Sequence, residues 1–158
     1  MTVHLHEEDL PSDDLFAPGA SIAVDTETMG LITPRDRLCV VQLSDGGADE
    51  HLVRFSPGSD YAAPNLKSVL GDPARLKLYH FGRFDIAAVQ HYLGVIAAPA
   101  WDTKIASRLV RTYTDRHGLK ELVREGRMDL AQRCFDFLPT RAALDLAGWP
   151  EIDIFAHV

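Results

Sequence analysis

The stretch Ile22-Ala23-Val24-Asp25-Thr26-Glu27-Thr28-Met29-Gly30-Leu31 constrains the fold of this chain more than any other. Its first half is rich in β-formers, with Ile22, Val24 and Thr26 alternating against Ala23, Asp25 and Glu27. Side chains two apart share a strand face, so Asp25 and Glu27 project together from the end of an apolar strand, about 7 Å apart along the chain. Two carboxylates that close, partly removed from water, raise each other's pKa, and a divalent cation between them removes the repulsion. Hard oxygen donors suit Mg²⁺ or Mn²⁺. An Asp-x-Glu by itself is equally what an acidic turn beyond a strand looks like. The apolar strand before these acids and the turn-forming Gly30 after them favour a site.

Around that strand the pattern predicts an α/β domain. A short strand over residues 3–5 precedes a turn-rich stretch containing Pro11 and Pro18-Gly19. After the acid-bearing strand and a loop over 32–37, Leu38–Ser44 is apolar enough to be a central strand. Asp45-Gly46-Gly47 is a hairpin signal leading to a strand over 50–55, so three successive antiparallel strands are expected. A helix over 65–70 stopped by Gly71, a strand over 76–80 and a helix over 84–93 closed by Gly94 follow. Asp102 is placed to cap a helix over 103–110, on which Lys104, Arg108 and Arg111 are expected to share one face. Helical patterns also cover 119–125, the stripe from Met128 to Leu138, and 140–147. The tail carries Trp149, Ile154 and Phe155 and needs a surface to lie on.

A chain of 158 residues suffices for one domain that buries roughly 70% of its unfolded surface. The net charge of −7 argues against a protein that grips long nucleic acid through many phosphates, although residues 103–127 are locally basic and permit a small anionic substrate. No segment approaches the ~20 apolar residues of a membrane span, and the acidic N-terminus is unlike a signal peptide. Cys39 and Cys134 have neither metal nor redox spacing and read as reduced thiols of a cytoplasmic protein.

A second constellation is Tyr79-His80-Phe81-Gly82-Arg83-Phe84-Asp85. If the strand ending near His80 lies beside the acid-bearing strand, Asp85 approaches Asp25 and Glu27 at one end of the sheet. Alone, Asp85 is explained as a first-turn acid favoured by the helix dipole.

Val24-Asp25-Thr26-Glu27 followed by His80-Phe81-Gly82-Arg83-Phe84-Asp85 resembles the first two motifs of the DEDD 3′–5′ exonucleases of the ribonuclease D group. The stretches 35–44, 103–108, 111–120, 144–149 and 152–157 resemble the NrnC-type nano-RNases of alphaproteobacteria, so the likeness covers nearly the whole chain. It implies a ribonuclease H-like α/β fold, with three antiparallel and then parallel strands flanked by helices. It further implies 3′–5′ hydrolysis of very short single-stranded RNA, dinucleotides especially, with DNA left open, and a ring-like homo-octamer without membrane attachment. By position, Asp25, Glu27 and Asp85 take the catalytic metal-ligand roles, and Leu31 that of a hydrophobic wedge against substrate bases. Two ions, Mg²⁺ or Mn²⁺, about 3.5–4 Å apart would activate water and stabilise the leaving 3′-oxygen. Spacing adds Lys104 and Arg108 as holders of a 5′-phosphate and His80 as a contact to a base, each against the plainer reading of a solvated or locally satisfied group.

The chain departs from that family at one place. A third motif, a Tyr followed four residues later by an Asp, should complete the site, and none of Tyr61, Tyr79, Tyr92 and Tyr113 meets the test. In the family several dozen residues separate the helices that here join at Glu125-Gly126. Asp102, Asp115, Asp136, Asp145 and Asp153 are poor substitutes, better read as capping or solvated acids. The expectation is a single exonuclease domain over 1–158 from which the third-motif segment is missing between 125 and 126. Omission of a segment is favoured over true deletion, with Glu125 and Gly126 farther apart than the ~3.8 Å of a peptide-linked pair.

Overall fold

The computed structural model describes residues 2–125. The helical stripe from Met128 to Leu138, the helix over 140–147, the tail, Cys134, the acids beyond 125 and the Glu125–Gly126 junction lie outside the described residues.

The elements in chain order are β1 (Thr2–Glu7), β2 (Ile22–Thr28), β3 (Leu38–Ser44), β4 (Asp49–Arg54), α1 (Pro64–Gly71), β5 (Lys77–Tyr79), α2 (Arg83–Leu93), β6 (Ala100–Asp102), α3 (Thr103–Val110) and α4 (Leu119–Arg124). The strands form one mixed sheet in the order β1-β4-β3-β2-β5-β6. The three successive antiparallel strands are present as β2, β3 and β4, and β5 runs parallel beside β2. β3, uniformly apolar but for Gln42 and Ser44, is buried along its full length, as its run of Leu, Cys and Val requires.

Two apolar layers follow from strand alternation. Ile22 and Val24 face a core closed by α1 (Leu66, Leu70) and α2 (Val89, Leu93). Ala23 and Leu78 face the opposite way and meet Leu119 and Leu122 of α4. Helix α1 has no capping side chain of its own; Asp9, just past β1, reaches over to accept the N–H groups of Asn65 and Leu66 at 3.0 and 2.8 Å. A cap of this kind contributes about 1 kcal/mol.

Two polar devices hold the sheet ends. Lys77 is fully buried, and its ammonium donates to three backbone carbonyls, Asp72 at 2.7 Å, Arg75 at 2.8 Å and Ala98 at 2.6 Å, which uses all three of its protons. On the β1 edge, the parallel pairing of β1 with β4 stacks His4 and His6 on His51, with ring centroids 5.2 and 5.3 Å from His51. His6 Nε2 and His51 Nδ1 share a proton at 3.0 Å, His4 Nε2 meets Asp49 Oδ1 at 2.9 Å, and Phe16 packs edge-on against His51. Burial first, and then the neighbouring imidazoles, hold His6 and His51 below the usual histidine range.

Helix α3 departs from its expected form. Asp102 caps it as anticipated, but Lys104, Arg108 and Arg111 do not share a solvated face. Arg111 aligns instead with Ser107 and Thr103, four and eight residues earlier, and that polar stripe is the buried one. The Arg111 guanidinium is held inside by Ser107 Oγ (3.2 Å), the Arg116 carbonyl (2.9 Å) and the Glu125 carboxylate (2.6 Å). Ile105, Leu109 and Val110 are consequently turned outward.

Candidate active site

The carboxyl ends of the parallel strands β2, β5 and β6 lie together, the edge at which open α/β sheets bind ligands. β2 outruns its short ladder with β5, which pairs only Ile22 and Ala23 with Lys77 and Leu78. Past that ladder's end the Thr26 N–H is taken by Asp85 Oδ1 at 2.9 Å, and the Thr26 hydroxyl donates to the same oxygen at 2.7 Å. Asp85 sits in the first turn of α2 and is buried. Its place beside β2, conditional on strand pairing in the sequence, follows from this substitution of a side chain for a strand neighbour.

The three acids feel one another. Burial and then the charges of Asp85 and Glu27 push the Asp25 carboxyl well above the carboxylate range. Burial and Asp85 raise Glu27 to about 7. Burial raises Asp85 to about 6, against the opposing pull of its two bonds from Thr26. Among the described residues no three His, Cys, Asp or Glu side chains already close around a common point. One oxygen of Asp85 is engaged by Thr26, so the three carboxylates form a gathered but open set.

That set nevertheless fits a hard divalent cation chemically. It offers acid oxygens only, each made reluctant to ionise by burial, and Asp25 and Glu27 further by the Asp85 charge, the condition a cation relieves. The Tyr79 hydroxyl adds to the fit: it is buried, has no hydrogen-bond partner among the described residues, and is raised by burial and by the Asp85 charge. The ring of Tyr79 lies so close to Gly82 that a Cβ there would stand 2.4 Å from it. Gly82 therefore lets the turn into α2 close over Tyr79 and bring Asp85 to β2.

His80 directly follows β5 and is held by Thr103. The Thr103 hydroxyl donates its one proton to the Tyr79 carbonyl at 3.0 Å, so His80 Nδ1 is the donor in the 2.9 Å contact with Thr103 Oγ1. This tautomer leaves Nε2 as an acceptor. Burial and the nearby Lys104 ammonium lower His80 to about 4, so it is neutral at ordinary pH. Lys104, the next residue of α3 after Thr103, has its ammonium 4.3 Å from the centre of the Phe81 ring. Arg108, one turn on, is exposed. Leu31 is exposed on the loop that continues β2, a loop closed by Asp36, whose carboxylate accepts the Ile32 N–H at 2.9 Å.

Sequence reasoning missed Thr26, Tyr79 and Thr103, and it credited Asp102 with only half its work. The Asp102 carboxylate caps α3 through Lys104 and Ile105, both at 2.9 Å, and also accepts the N–H groups of Phe81 (3.1 Å) and Gly82 (2.8 Å). It thereby ties the turn into α2 to the start of α3. The threonines carried no signal, because their roles depend on which strands are neighbours.

Three kinds of likeness to known proteins agree with this geometry. A family described as 3′–5′ exonuclease matches residues 7–131. The ribonuclease D of Acidiphilium cryptum is 34% identical over 127 residues, 78% of this chain and 32% of that protein. The ribonuclease D of Granulibacter bethesdensis is 34% identical over 119 residues, 73% of this chain and 29% of that protein, so the chain spans about a third of the length of these relatives. Among solved structures, Brucella melitensis NrnC bound to pGG is 39% identical with a TM-score of 0.71, both chains being covered in full. The same nuclease has also been solved with bound Mg²⁺. Escherichia coli RNase D, at 24% identity and a TM-score of 0.57 over 93% of this chain and 40% of that one, shares the fold.

Proposed function

The chain belongs to the 3′–5′ exonuclease family, in its NrnC and ribonuclease D-like branch, and on that premise we propose that it hydrolyses very short RNA from the 3′ end with Mg²⁺ or Mn²⁺. The observation that carries the reading is the gathering of Asp25, Glu27 and Asp85 at the carboxyl ends of β2 and β5, each biased toward its protonated form. Two divalent cations, when bound by these three acids, would supply an activated water and neutralise charge on the departing 3′-oxygen.

The chain's own residues have distinct parts. Thr26 orients Asp85 through two bonds. Neutral His80 presents an acceptor to a ribose hydroxyl or a base N–H, a role that suits RNA better than a phosphate contact would. Lys104 and Arg108 supply positive charge for a 5′-phosphate, and Leu31 packs against a base. Brucella NrnC bound to pGG supports a substrate of dinucleotide size, and the net charge of −7 disfavours long strands. We place this activity in a single domain over 1–158, lacking the third-motif segment between 125 and 126, and assembled as a homo-octamer in the cytoplasm. No helix among the described residues is long and apolar enough to cross a membrane.

A second reading, a relative that binds nucleotides without turning them over, is favoured by one observation: no Tyr-x-x-x-Asp occurs in the sequence. One experiment separates the two. Purified chain is incubated with a 5′-phosphorylated RNA dinucleotide and with a 20-residue RNA, with Mg²⁺, with Mn²⁺ and with chelator. Metal-dependent release of mononucleotides, faster from the dinucleotide, supports the nuclease. Calorimetric binding of the dinucleotide without release supports the second reading.

A further inference from the structure

Beside the carboxylates the chain displays an aromatic ring at a backbone cost. Phe81 has φ 67°, in the left-handed region that non-glycine residues avoid, yet its ring is 51% exposed. Core burial therefore does not account for the conformation. The backbone is clamped instead: the N–H groups of Phe81 and Gly82 both donate to Asp102, the capping acid of α3. The ring is supported from one side by the Lys104 ammonium at 4.3 Å. It lies one residue past His80 and four before Asp85, at the edge where β2, β5 and β6 end. Strain held by the surrounding structure, an exposed aromatic and an adjacent cation together match what single-stranded nucleic acid needs: a face for a base and charge near its phosphate.

We infer that Phe81 is a substrate-binding residue, a stacking platform on which a nucleobase of the short oligonucleotide lies, opposite the side taken by Lys104. The inference deepens the nuclease reading and rests on it for the nature of the ligand. Stacking of this kind is tolerant of base identity, because every base has a π face. It thus predicts selection for the presence of a base and not for its type.

The test uses the full chain without metal, so that binding is read apart from turnover. Calorimetric affinities are measured for 5′-phosphorylated diguanylate and for the same backbone with both bases removed. Phe81→Ala is expected to weaken the intact dinucleotide about tenfold and the base-free analogue hardly at all, while Phe81→Trp keeps the wild-type preference. Phe81→Gly serves as the folding control: glycine accepts φ 67° freely, so it should melt no lower than wild type yet lose the same affinity for the intact ligand. Equal losses on both ligands, unchanged affinity in Phe81→Gly, or no binding of diguanylate by the wild-type chain would each overturn the inference. The nuclease reading fails separately: wild-type chain that discriminates the two ligands through Phe81 but never releases mononucleotides with metal keeps the platform and loses the activity.

Discussion

Two regions at opposite sides of the sheet crowd like groups together, and they respond to protons in opposite senses. At the carboxyl ends of β2 and β5, burial raises Asp25, Glu27 and Asp85, and the Asp85 charge adds to the rise at Asp25 and Glu27. On the β1–β4 edge, His6 and His51 are lowered by burial and by neighbouring imidazoles. A raised acid takes up protons on folding. Its stabilising contribution is whole below the unfolded value near ~4 and is lost as pH rises through the folded values, which reach about 7 for Glu27. A lowered histidine works the other way, whole above the unfolded ~6.5 and lost as pH falls. The difference teaches which region expects a partner. His6 and His51 already satisfy each other through the bond between their rings. The acids carry a penalty for ionising at neutral pH, which a bound cation would relieve.

Four measurements can break or sharpen this contrast. The largest effect is expected from Asp25→Asn, which should cut metal-dependent hydrolysis by about 10²-fold or more, a loss of the size seen when one charge-stabilising group is removed from an active site. The same variant should melt no lower than wild type at pH 8 without metal, because a repulsive charge is gone. A lower melting temperature there would show that Asp25 serves the fold and not a cation.

Gly82→Ala comes next. Its Cβ would stand 2.4 Å from the Tyr79 side chain, so the turn must shift and carry Asp85 with it. Overpacking of this kind costs about 1–3 kcal/mol, and activity should fall along with the thermal midpoint. An unchanged midpoint would mean that Tyr79 swings away freely.

The third measurement is a pair of pH titrations of thermal stability, without and with Mg²⁺. Without metal the two contributions oppose each other between about pH 4 and 6.5; with metal the loss on raising pH toward about 7 should disappear, leaving only the decline as pH falls below ~6.5. A cation that flattened both arms would deny the separation of the two regions. The smallest effect is His6→Gln, which should soften only the acidic arm, by about 2–4 °C for each kcal/mol of pH dependence removed. Circular dichroism melts at pH 5 and pH 8 check it.

The contrast also marks what could be seen before the structure was known. Asp25, Glu27 and Asp85 were legible because a two-residue period and a strand-to-helix turn are local signals, and one inference, parallel pairing of β5 with β2, joined them. The histidine stack was not legible. It depends on β1 pairing in parallel with a strand 45 residues away, and His4, His6 and His51 have no common spacing until that register is known. Helix α3 misled for a related reason. Its buried polar stripe is stable only because His117 meets Ser107 and Glu125 meets Arg111, partners that lie beyond the helix. Burial was assigned by hydropathy, and there distant hydrogen bonding outweighed it.

The buried ammonium of Lys77 has a consequence in the time domain. Amine-reactive acylating reagents need a free, deprotonated nitrogen, and this one has all three protons committed to carbonyls inside the protein. The three carbonyls belong to the approaches to β5 and β6, so releasing the nitrogen means parting those strands from their loops. Mass-spectrometric labelling should therefore modify exposed lysines such as Lys120 within the reagent's own lifetime and Lys77 only at the rate at which the sheet opens. A single residue would then act as a clock for global opening, and a metal that locks the opposite end of β2 should slow it.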